Sequence, residues 1–165
     1  HAIGRLDNHS EGLLLLTTNK KITKLLFQGP KPHTRTYLVQ VKNNITPATA
    51  AAIASGIPIS APNGSQYLTS PCSVSVVEDA TPYQHLFDAS LLTAAVPVHQ
   101  NVVTSWILIT LTEGKFHQVR KMVAAVHHRC IRLIRVAIEA IYLGDLPAGQ
   151  VRELEEADFF KLLDL

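Results

Sequence analysis

The stretch T-S-W-I-L-I-T-L-T at residues 104–112 is the part of the sequence that decides the predicted fold. It is rich in β-branched and aromatic side chains, which favour a strand, and Glu113-Gly114 directly after it ends that strand. Strand patterns recur in T-Y-L-V-Q-V-K at residues 36–42 and in I-R-L-I-R-V at residues 131–136. Helices and long stretches separate the three, and their alternation suits a sheet covered on one face by helices. We therefore predict an α+β fold with a mostly antiparallel central sheet flanked by helices.

The segments around these strands predict the remaining elements. The leucines within residues 13–17 predict a buried strand, and a helix over residues 20–27 follows an Asn19 cap. Thr46 before Pro47 marks the start of an Ala-rich helix. The other predicted elements are a turn at 62–65, a strand at 73–77, a helix over 116–126 with Phe116 on its apolar face, a short strand within 143–154 and a helix over 155–163. The rest of residues 71–103 is predicted to be a long loop.

Length and composition indicate one domain over residues 1–165. Hydrophobic residues make up 47% of the chain and charged residues 17%, which is enough for a packed core and excludes a disordered chain. No apolar run is long enough to cross a bilayer and the start lacks a signal peptide, so we expect no membrane partner. The chain begins at His1 rather than Met, and we expect it to be a piece of a longer protein.

The cysteines and histidines give little support for a metal site. Cys72 and Cys130 lie far apart in the sequence, without the spacing of metal ligands. The eight histidines include no H-E-x-x-H motif. Two cysteines do not form the disulfide framework of a small secreted protein, so we expect a reducing compartment and a cytoplasmic protein.

Charge is segregated along the chain although the net charge is only +2. Residues 12–77 and residues 114–138 contain no Asp or Glu. The first block carries Lys20, Lys21, Lys24, Lys31, Arg35 and Lys42, and the second carries Lys115, Arg120, Lys121, Arg129, Arg132 and Arg135. Two basic blocks without acidic residues favour a surface that faces a polyanion. The alternative is ordinary solubility charge, which the small net charge supports.

Three side chains are candidates for chemistry. Asp7, in G-R-L-D-N-H-S-E-G at residues 4–12, precedes the leucines and is either a turn residue or a carboxylate held at the edge of the core. Arg120 at the border of an apolar helix face is either a surface arginine or the cation that keeps such a carboxylate ionised. Tyr37 is either a residue of the core or a platform on which a base stacks.

The segment E-G-K-F-H-Q-V-R-K-M at residues 113–122 is the richest in polar groups. A strand ends and a helix begins there, so backbone N–H groups and nearby cations suit a phosphate group. A solvated helix face is the alternative, although such faces usually mix both signs of charge. His117 is either a general acid or base, a phosphate contact or a structural residue.

Four motifs in order resemble one family. They are G-R-L-D-N-H-S-E-G-L-L-L-L-T, T-Y-L-V-Q-V, I-L-I-T-L-T-E-G-K-F-H-Q-V-R-K-M and R-L-I-R-V-A-I-E-A-I-Y-L-G-D-L. They cover nearly the whole chain and resemble the RsuA/RluB/RluE/RluF family of ribosomal RNA pseudouridine synthases, with the RluE-like branch nearest. The resemblance implies the pseudouridine synthase catalytic fold in a single catalytic domain. The family has a strand with a K-P-x-G signal upstream of G-R-L-D, and because the given sequence starts at His1 we expect that strand to be missing from it.

The resemblance also implies roles for individual residues. Asp7 would be the catalytic carboxylate, acting as nucleophile or as base, and Arg120 would pair with it. Tyr37 would stack on the target uracil. The residues expected to contact RNA are Arg5, Arg35, Lys115, His117, Gln118 and Lys121. The implied reaction is isomerisation of a uridine in ribosomal RNA, of the large subunit, by a monomer without metal or cofactor.

Two positions depart from the family pattern, and two other functions compete with catalysis. Val126-His127-His128 stands where relatives often have V-G-H, and Ile138-Glu139 where many have I-G. One competing function is a non-catalytic RNA-binding or ribosome-assembly factor on the same fold. The other is an enzyme acting on a small polyanion such as a sugar phosphate, which would not bind RNA in a salt-dependent manner.

Overall fold

The computed structural model describes residues 1–87 and 102–165. Its strands are β1 (Ala2–Ile3), β2 (Glu11–Gly12), β3 (Leu15–Leu16), β4 (Arg35–Lys42), β5 (Pro58–Ser60), β6 (Gln66–Leu68), β7 (Ser73–Val77), β8 (Thr104–Leu111), β9 (Cys130–Ile138) and β10 (Ile141–Tyr142). Its helices are α1 (Lys21–Gln28), α2 (Pro47–Ala54), α3 (Gln118–Ala125) and α4 (Glu156–Leu162), with a 3₁₀ helix over Thr81–Phe87. No helix in these two ranges combines the length and the apolar character that a membrane span requires.

The central sheet has the strand order β10-β9-β4-β8-β7, with β2 added to β9. Every pair along this path is antiparallel, and only β2 runs parallel to its neighbour. Leu38 in the middle of β4 lies opposite Leu108 of β8 and Ile134 of β9. This topology confirms the prediction of an α+β fold with a mostly antiparallel sheet.

Apolar side chains cover both faces of the sheet, because residues next to each other in a strand point to opposite faces. On one face, Val39 and Ile107 pack with Ile53 of α2 and Met122 of α3. The other face buries Ile3, Leu13, Leu15, Ile22, Leu26, Leu38, Ile134 and Leu163. The expectation of helices on a single face is therefore wrong, since β4 and β9 carry apolar residues at both odd and even positions.

Most of the predicted elements are confirmed. The strands expected at residues 36–42, 104–112 and 131–136 form β4, β8 and β9, with bounds that differ by at most two residues. The strand at 73–77 is β7. Thr46 caps α2 by accepting a hydrogen bond from the Thr49 N–H at 3.1 Å, and Pro47 is the first residue of that helix. Short-range signals of this kind act through local backbone chemistry.

The leucine run is not one buried strand. Only Leu15 and Leu16 belong to a strand, β3, whereas β2 ends at Gly12 before the run begins; the two strands pair with different partners. Leu13 and Leu15 are buried, whereas Leu14 is 42% and Leu16 is 59% exposed. The chain passes along the edge of the sheet here and shows one face to solvent, so four apolar residues in succession did not imply burial on both faces.

Two other expectations are corrected, and one predicted turn is confirmed. Helix α3 begins at Gln118 and leaves Phe116 55% exposed, because His117 has a left-handed backbone with φ 52°. The short strand expected within 143–154 is instead β10, which precedes that segment. The predicted turn at 62–65 joins two strands that were not predicted, β5 and β6. Of the predicted long loop, residues 88–101 lie outside the described residues.

Glu139 has a left-handed backbone, with φ 47°, at the turn between β9 and β10. Its carboxylate accepts a hydrogen bond from the Thr34 N–H at 2.6 Å, and its own N–H donates to the Thr34 carbonyl at 3.0 Å. The buried His33 lies 3.2 Å from the same carboxylate. These contacts offset a backbone conformation that favours glycine.

Gly12 lies where the backbones of β2 and β9 approach closely. A Cβ at this position would lie 2.3 Å from the Arg135 carbonyl oxygen, and the backbone has φ 101°. The Leu13 N–H donates to that same carbonyl at 2.8 Å. Gly12 is thus required both for its conformation and for its lack of a side chain.

Gly12→Ala is expected to lower the free energy of unfolding by at least about 2 kcal/mol, because strain and a backbone clash add. The matched control is Gly64→Ala, at φ 82° with open space around its Cβ. That change should cost only the strain of a left-handed residue, about 1 kcal/mol. Urea unfolding of both variants measures the difference, and equal losses would contradict the proposed clash.

Candidate active site

Asp7 lies in the loop between β1 and β2, at the edge of the core. The Ser10 N–H donates to the Asp7 carbonyl at 2.8 Å, which closes a turn directly after the aspartate. The Asp7 side chain is 38% exposed. The loop therefore presents a carboxylate that is fixed by its backbone and still reached by solvent.

Arg135 of β9 fixes this loop to the sheet from inside the protein. Its Nε donates to the Leu13 carbonyl at 2.8 Å and its Nη1 to the Arg5 carbonyl at 3.3 Å, so the two bonds lie on both sides of Asp7. The residue is only 4% exposed. Burial lowers the pKa of the Arg135 guanidinium, and an interaction with Tyr37 opposes that shift.

Tyr37 stands directly opposite Arg135 in the pairing of β4 with β9. Its ring is partly buried against the core on the α2 and α3 face of the sheet. The register between β4 and β9 shifts between Thr36 and Tyr37, so an irregularity in the sheet lies at this residue. Tyr37 is thus linked through Arg135 to the Asp7 loop.

The start of α3 approaches the Asp7 loop from outside. The Arg120 guanidinium donates a hydrogen bond to the His9 carbonyl. Nε2 of His117 lies 3.9 Å from Oδ2 of Asp7. In the described part of the chain, the carboxylate of Asp7 is therefore paired with His117, and the expected direct pair with Arg120 is not formed. Arg120 contacts the backbone of the same loop instead.

His117 is held in an uncommon conformation beside Asp7. Its φ of 52° lies in the left-handed region, and its ring stacks on Phe116 with 3.9 Å between ring centroids. Residues held in such backbone conformations are concentrated at functional sites, where surrounding contacts enforce them. The turn that enforces it here is closed by Gln118, whose Oε1 accepts from the Lys115 N–H at 2.8 Å.

Glu113 connects this turn to the β5–β6 hairpin. Its carboxylate accepts hydrogen bonds from the Tyr67 hydroxyl at 2.5 Å, the Ser70 N–H at 2.8 Å and the Gln118 amide at 2.7 Å. Partial burial raises the pKa of Glu113, but the hydrogen bonds from Tyr67, Ser70 and Gln118 outweigh it and the pKa is lowered. The hydrogen bond to Glu113 raises the pKa of Tyr67.

The residues expected to contact RNA fall into two groups. Arg5, Lys115 and His117 present exposed or partly exposed side chains around Asp7, and the Lys115 ammonium lies 4.5 Å from the centre of the Tyr67 ring. Gln118 is only 4% exposed, so the expectation that it contacts RNA is corrected: its amide is used inside the protein.

Two other expected RNA contacts already have protein partners. Lys121 donates to the Ser60 carbonyl at 2.7 Å. The Arg35 guanidinium donates to the Thr112 carbonyl at 3.1 Å and lies 5.8 Å from the centre of the Phe27 ring. Lys121 and Arg35 are nevertheless still positively charged.

Two arginines of the second basic block do not face a polyanion. Arg132 is 3% exposed and forms a bidentate pair with Glu11, with N–O distances of 3.0 and 2.7 Å. Arg135 is buried as described above. Both lie within β9, and a buried cation must be paired or hydrogen-bonded inside the protein. Counting charges along the sequence could not separate these two from exposed residues.

Sequence reasoning missed the roles of Arg135, Glu113 and Tyr67. Two arginines inside the apolar segment I-R-L-I-R-V were a usable signal, since charges in a buried strand need internal partners. Glu113 was interpreted only as the end of a strand, and Tyr67 gave no signal because its strand was not predicted.

No group of three or more His, Cys, Asp and Glu side chains converges as metal ligands would within residues 1–87 and 102–165. A cleft of about 1470 Å³ is lined by residues that include Leu15, Ile22 and Phe159, and it borders the Asp7 loop at Leu6 and Ser10. None of Asp7, Tyr37 or Arg120 lines it. The candidate site is therefore the surface around Asp7 and not this cleft.

Glu113→Gln is expected to lower the free energy of unfolding at pH values above 4.5, the ordinary glutamate pKa. Below that pH, the difference from the parent protein should become smaller as the pH falls. A carboxyl group whose pKa is lowered by folding contributes stability while it is ionised, and that contribution is lost as the pH falls through its folded pKa. Unfolding midpoints of both proteins across the acid range measure this effect.

The exposed Glu153 supplies the matched control for this experiment, as Glu153→Gln. The unfolding midpoint of Glu153→Gln should equal that of the parent protein at every pH. A constant difference between the parent and Glu113→Gln down to the lowest pH would contradict the role assigned to the ionised carboxylate.

Comparison with known proteins places this chain in a family. The family model described as RNA pseudouridylate synthase matches residues 1–125. A ribosomal large subunit pseudouridine synthase E of Vibrio parahaemolyticus is 31% identical over 155 residues, covering 94% of this chain and 60% of the relative. The corresponding protein of Xanthomonas campestris is 36% identical over 152 residues, covering 92% of this chain and 75% of the relative.

Further matches agree. A ribosomal small subunit pseudouridine synthase A of Salmonella typhimurium is 31% identical over 160 residues, covering 96% of this chain and 57% of the relative. A crystal structure of a pseudouridylate synthase superposes with a TM-score of 0.75 at 26% identity, covering 98% of this chain and 59% of that one. The chain thus spans about 60% of the first of these relatives. These matches confirm the resemblance drawn from the motifs: the chain belongs to the RNA pseudouridylate synthase family.

Proposed function

We propose that the protein converts a uridine of ribosomal RNA to pseudouridine, with Asp7 as the catalytic carboxylate. The observation that carries this proposal is the way the Asp7 loop is held. Arg135 of β9 and Arg120 of α3 both donate hydrogen bonds to backbone carbonyls of this loop. The Asp7 carboxylate itself stays 38% exposed beside His117. A fixed yet accessible carboxylate is what a reaction at the sugar of a bound nucleotide requires.

The reaction rearranges one nucleoside without net loss or gain of atoms. The bond between the anomeric carbon of the ribose and N1 of uracil breaks, and a bond from that carbon to ring carbon 5 forms. Carbon 5 then loses its proton, and N1 gains one. Asp7 would act at the ribose, either as a nucleophile on the anomeric carbon or as a base, while the uracil turns within the site.

Other side chains would support this chemistry. Tyr37 would stack on the uracil and could help to move the proton from carbon 5. His117 lies beside the Asp7 carboxylate and Arg120 bonds the backbone of its loop, so both would help to hold the carboxylate in place. Arg135 would be a positioning residue, because it contacts the backbone on both sides of Asp7 rather than the reacting atoms.

RNA binding must compensate for exposing the target base. The uridine has to leave its stack to reach Asp7, at a cost of a few kcal/mol. The exposed Arg5 and Lys115, with Arg35 and Lys121 nearby, would neutralise phosphates and supply salt-dependent affinity. The names of two similar proteins refer to the large ribosomal subunit, which makes its RNA the first substrate to test. The proposal includes that the protein is a cytoplasmic monomer and needs no metal or cofactor.

A second candidate function is a binding factor on the same fold without catalysis. The exposed basic residues would serve it equally well. It requires that RNA binding survive the loss of Asp7 and that no uridine be converted.

Asp7→Asn is expected to abolish turnover while leaving the fold intact, because the amide can serve neither as nucleophile nor as base. The assay uses ribosomal RNA transcripts with tritium at uridine carbon 5 and measures tritium released to water. The matched control is Asp145→Asn, at an exposed position away from the site, which should release tritium at the parent rate. Turnover by Asp7→Asn would refute the role of Asp7. No release by any protein, together with tight RNA binding, would favour the binding factor.

Arg135→Lys is expected to lower kcat by about tenfold or more, because the Asp7 carboxylate would no longer be held precisely at the reacting sugar. KM for RNA should stay nearly unchanged. A lysine keeps the charge but cannot make two hydrogen bonds in the fixed geometry of a guanidinium. A merely structural role would instead change kcat in proportion to the folded fraction, which circular dichroism measures.

The control for this variant is Arg152→Lys. Arg152 is exposed and donates a single hydrogen bond to the Tyr142 carbonyl at 2.9 Å. It should leave both kcat and KM unchanged. A rise in KM for Arg135→Lys at constant kcat would show that Arg135 acts on RNA binding and would contradict its positioning role.

A further inference from the structure

We propose that the end of α3 carries a binding site for a phosphate of the RNA strand, next to the nucleotide that reacts at Asp7. This inference rests on the proposed function and adds a site to it. The site is a shallow pocket of about 420 Å³, called here the α3-end pocket, lined by Arg120, Ala124, His127, His128, Arg129 and Cys130.

The chemistry of this lining suits an anion. Arg120 and Arg129 are permanent cations, and His127 adds an exposed imidazole. Among the described residues, no carboxylate lines the pocket. Burial raises the pKa of the Cys130 thiol to about 11, although the Arg120 charge lowers it, so the thiol adds no negative charge at neutral pH. The pocket therefore concentrates positive charge without an internal counterion.

The pocket is held in shape by the neighbouring strand. Nδ1 of His128 donates to the Lys42 carbonyl at 2.9 Å, and the Lys42 N–H donates to the Arg129 carbonyl at 2.9 Å. His127 has a left-handed backbone with φ 64°, a conformation that favours glycine. These bonds tie residues 127–129 to the end of β4, so His127 and Arg129 are presented at the surface in a defined turn.

Arg120 joins the pocket to the candidate active site. The same guanidinium that lines the pocket donates to the His9 carbonyl in the Asp7 loop. An RNA strand whose target nucleotide lies at Asp7 would therefore meet Arg120 next and then the cations beyond it. Lys42, exposed beside Arg129, extends the positive surface in the same direction. Phosphates carry one negative charge per nucleotide, so a continuous cationic path of this kind matches a strand of RNA.

The test measures the binding of fluorescein-labelled oligouridine by the complete chain over a series of salt concentrations. Removing one phosphate contact to a single strand should reduce the slope of log Kd against log salt by about 0.7, and weaken binding about fivefold near 0.1 M salt. Arg129→Ala should show this change, and the double variant His127→Ala/Arg129→Ala should bind more weakly still.

The charge-matched control is Lys161→Ala, on the exposed side of α4 and outside the pocket. It should leave the salt slope unchanged. An unchanged slope for Arg129→Ala, or an equal change for both variants, would overturn the α3-end pocket as a phosphate site. Tritium release, measured in parallel, separates this outcome from a failure of the proposed function. If the parent protein releases tritium and Arg129→Ala keeps the full salt slope, the phosphate site is contradicted and the proposed function is not.

Discussion

The buried guanidinium of Arg135 is the interaction on which the rest of the site depends. It comes from β9, which lies between β4 and the edge strands β2 and β10, and it hydrogen-bonds the carbonyls of Arg5 and Leu13. A buried charge is costly unless its donors find partners, and here Nε and Nη1 are both used. Asp7 lies between the two bonded residues, so the loop that carries the carboxylate is held by the central sheet. Gly12 allows this close approach of loop and strand, since any side chain there would meet the Arg135 backbone.

The start of α3 supplies the other half of the site through a chain of polar contacts. Glu113 binds the β5–β6 hairpin through Tyr67 and the helix start through Gln118. Gln118 in turn closes the turn that holds His117 in its left-handed conformation beside Asp7. The strain at His117 is thus sustained by neighbouring contacts, in the way that strained residues at functional sites usually are. The aspartate and the histidine beside it come from different parts of the chain, and different contacts hold each of them.

Positive charge on this protein has two distinct uses. Arg132 and Arg135 are buried in β9 and serve the fold, one through Glu11 and the other through backbone carbonyls. The exposed cations around the Asp7 loop and the end of α3 face solvent, where the proposed RNA substrate would meet them. Arg120 belongs to both the site and the α3-end pocket, since its guanidinium contacts the Asp7 loop and lines the pocket. A single side chain can therefore couple binding of the RNA backbone to the position of the carboxylate.

The sequence by itself determined the class of fold, the three long strands, the cap and start of α2 and the family, because these depend on local periodicity and on contiguous motifs. It also singled out Asp7, Tyr37 and Arg120. Only the tertiary structure decided that Leu14 and Leu16 face solvent, that Gln118 is buried, and that His117 rather than Arg120 pairs with Asp7. Arg135 lies 128 positions after Asp7 in the chain, yet it holds the loop. Such contacts depend on strand pairing and on which face a residue occupies, and neither is encoded in the spacing of residues along the chain.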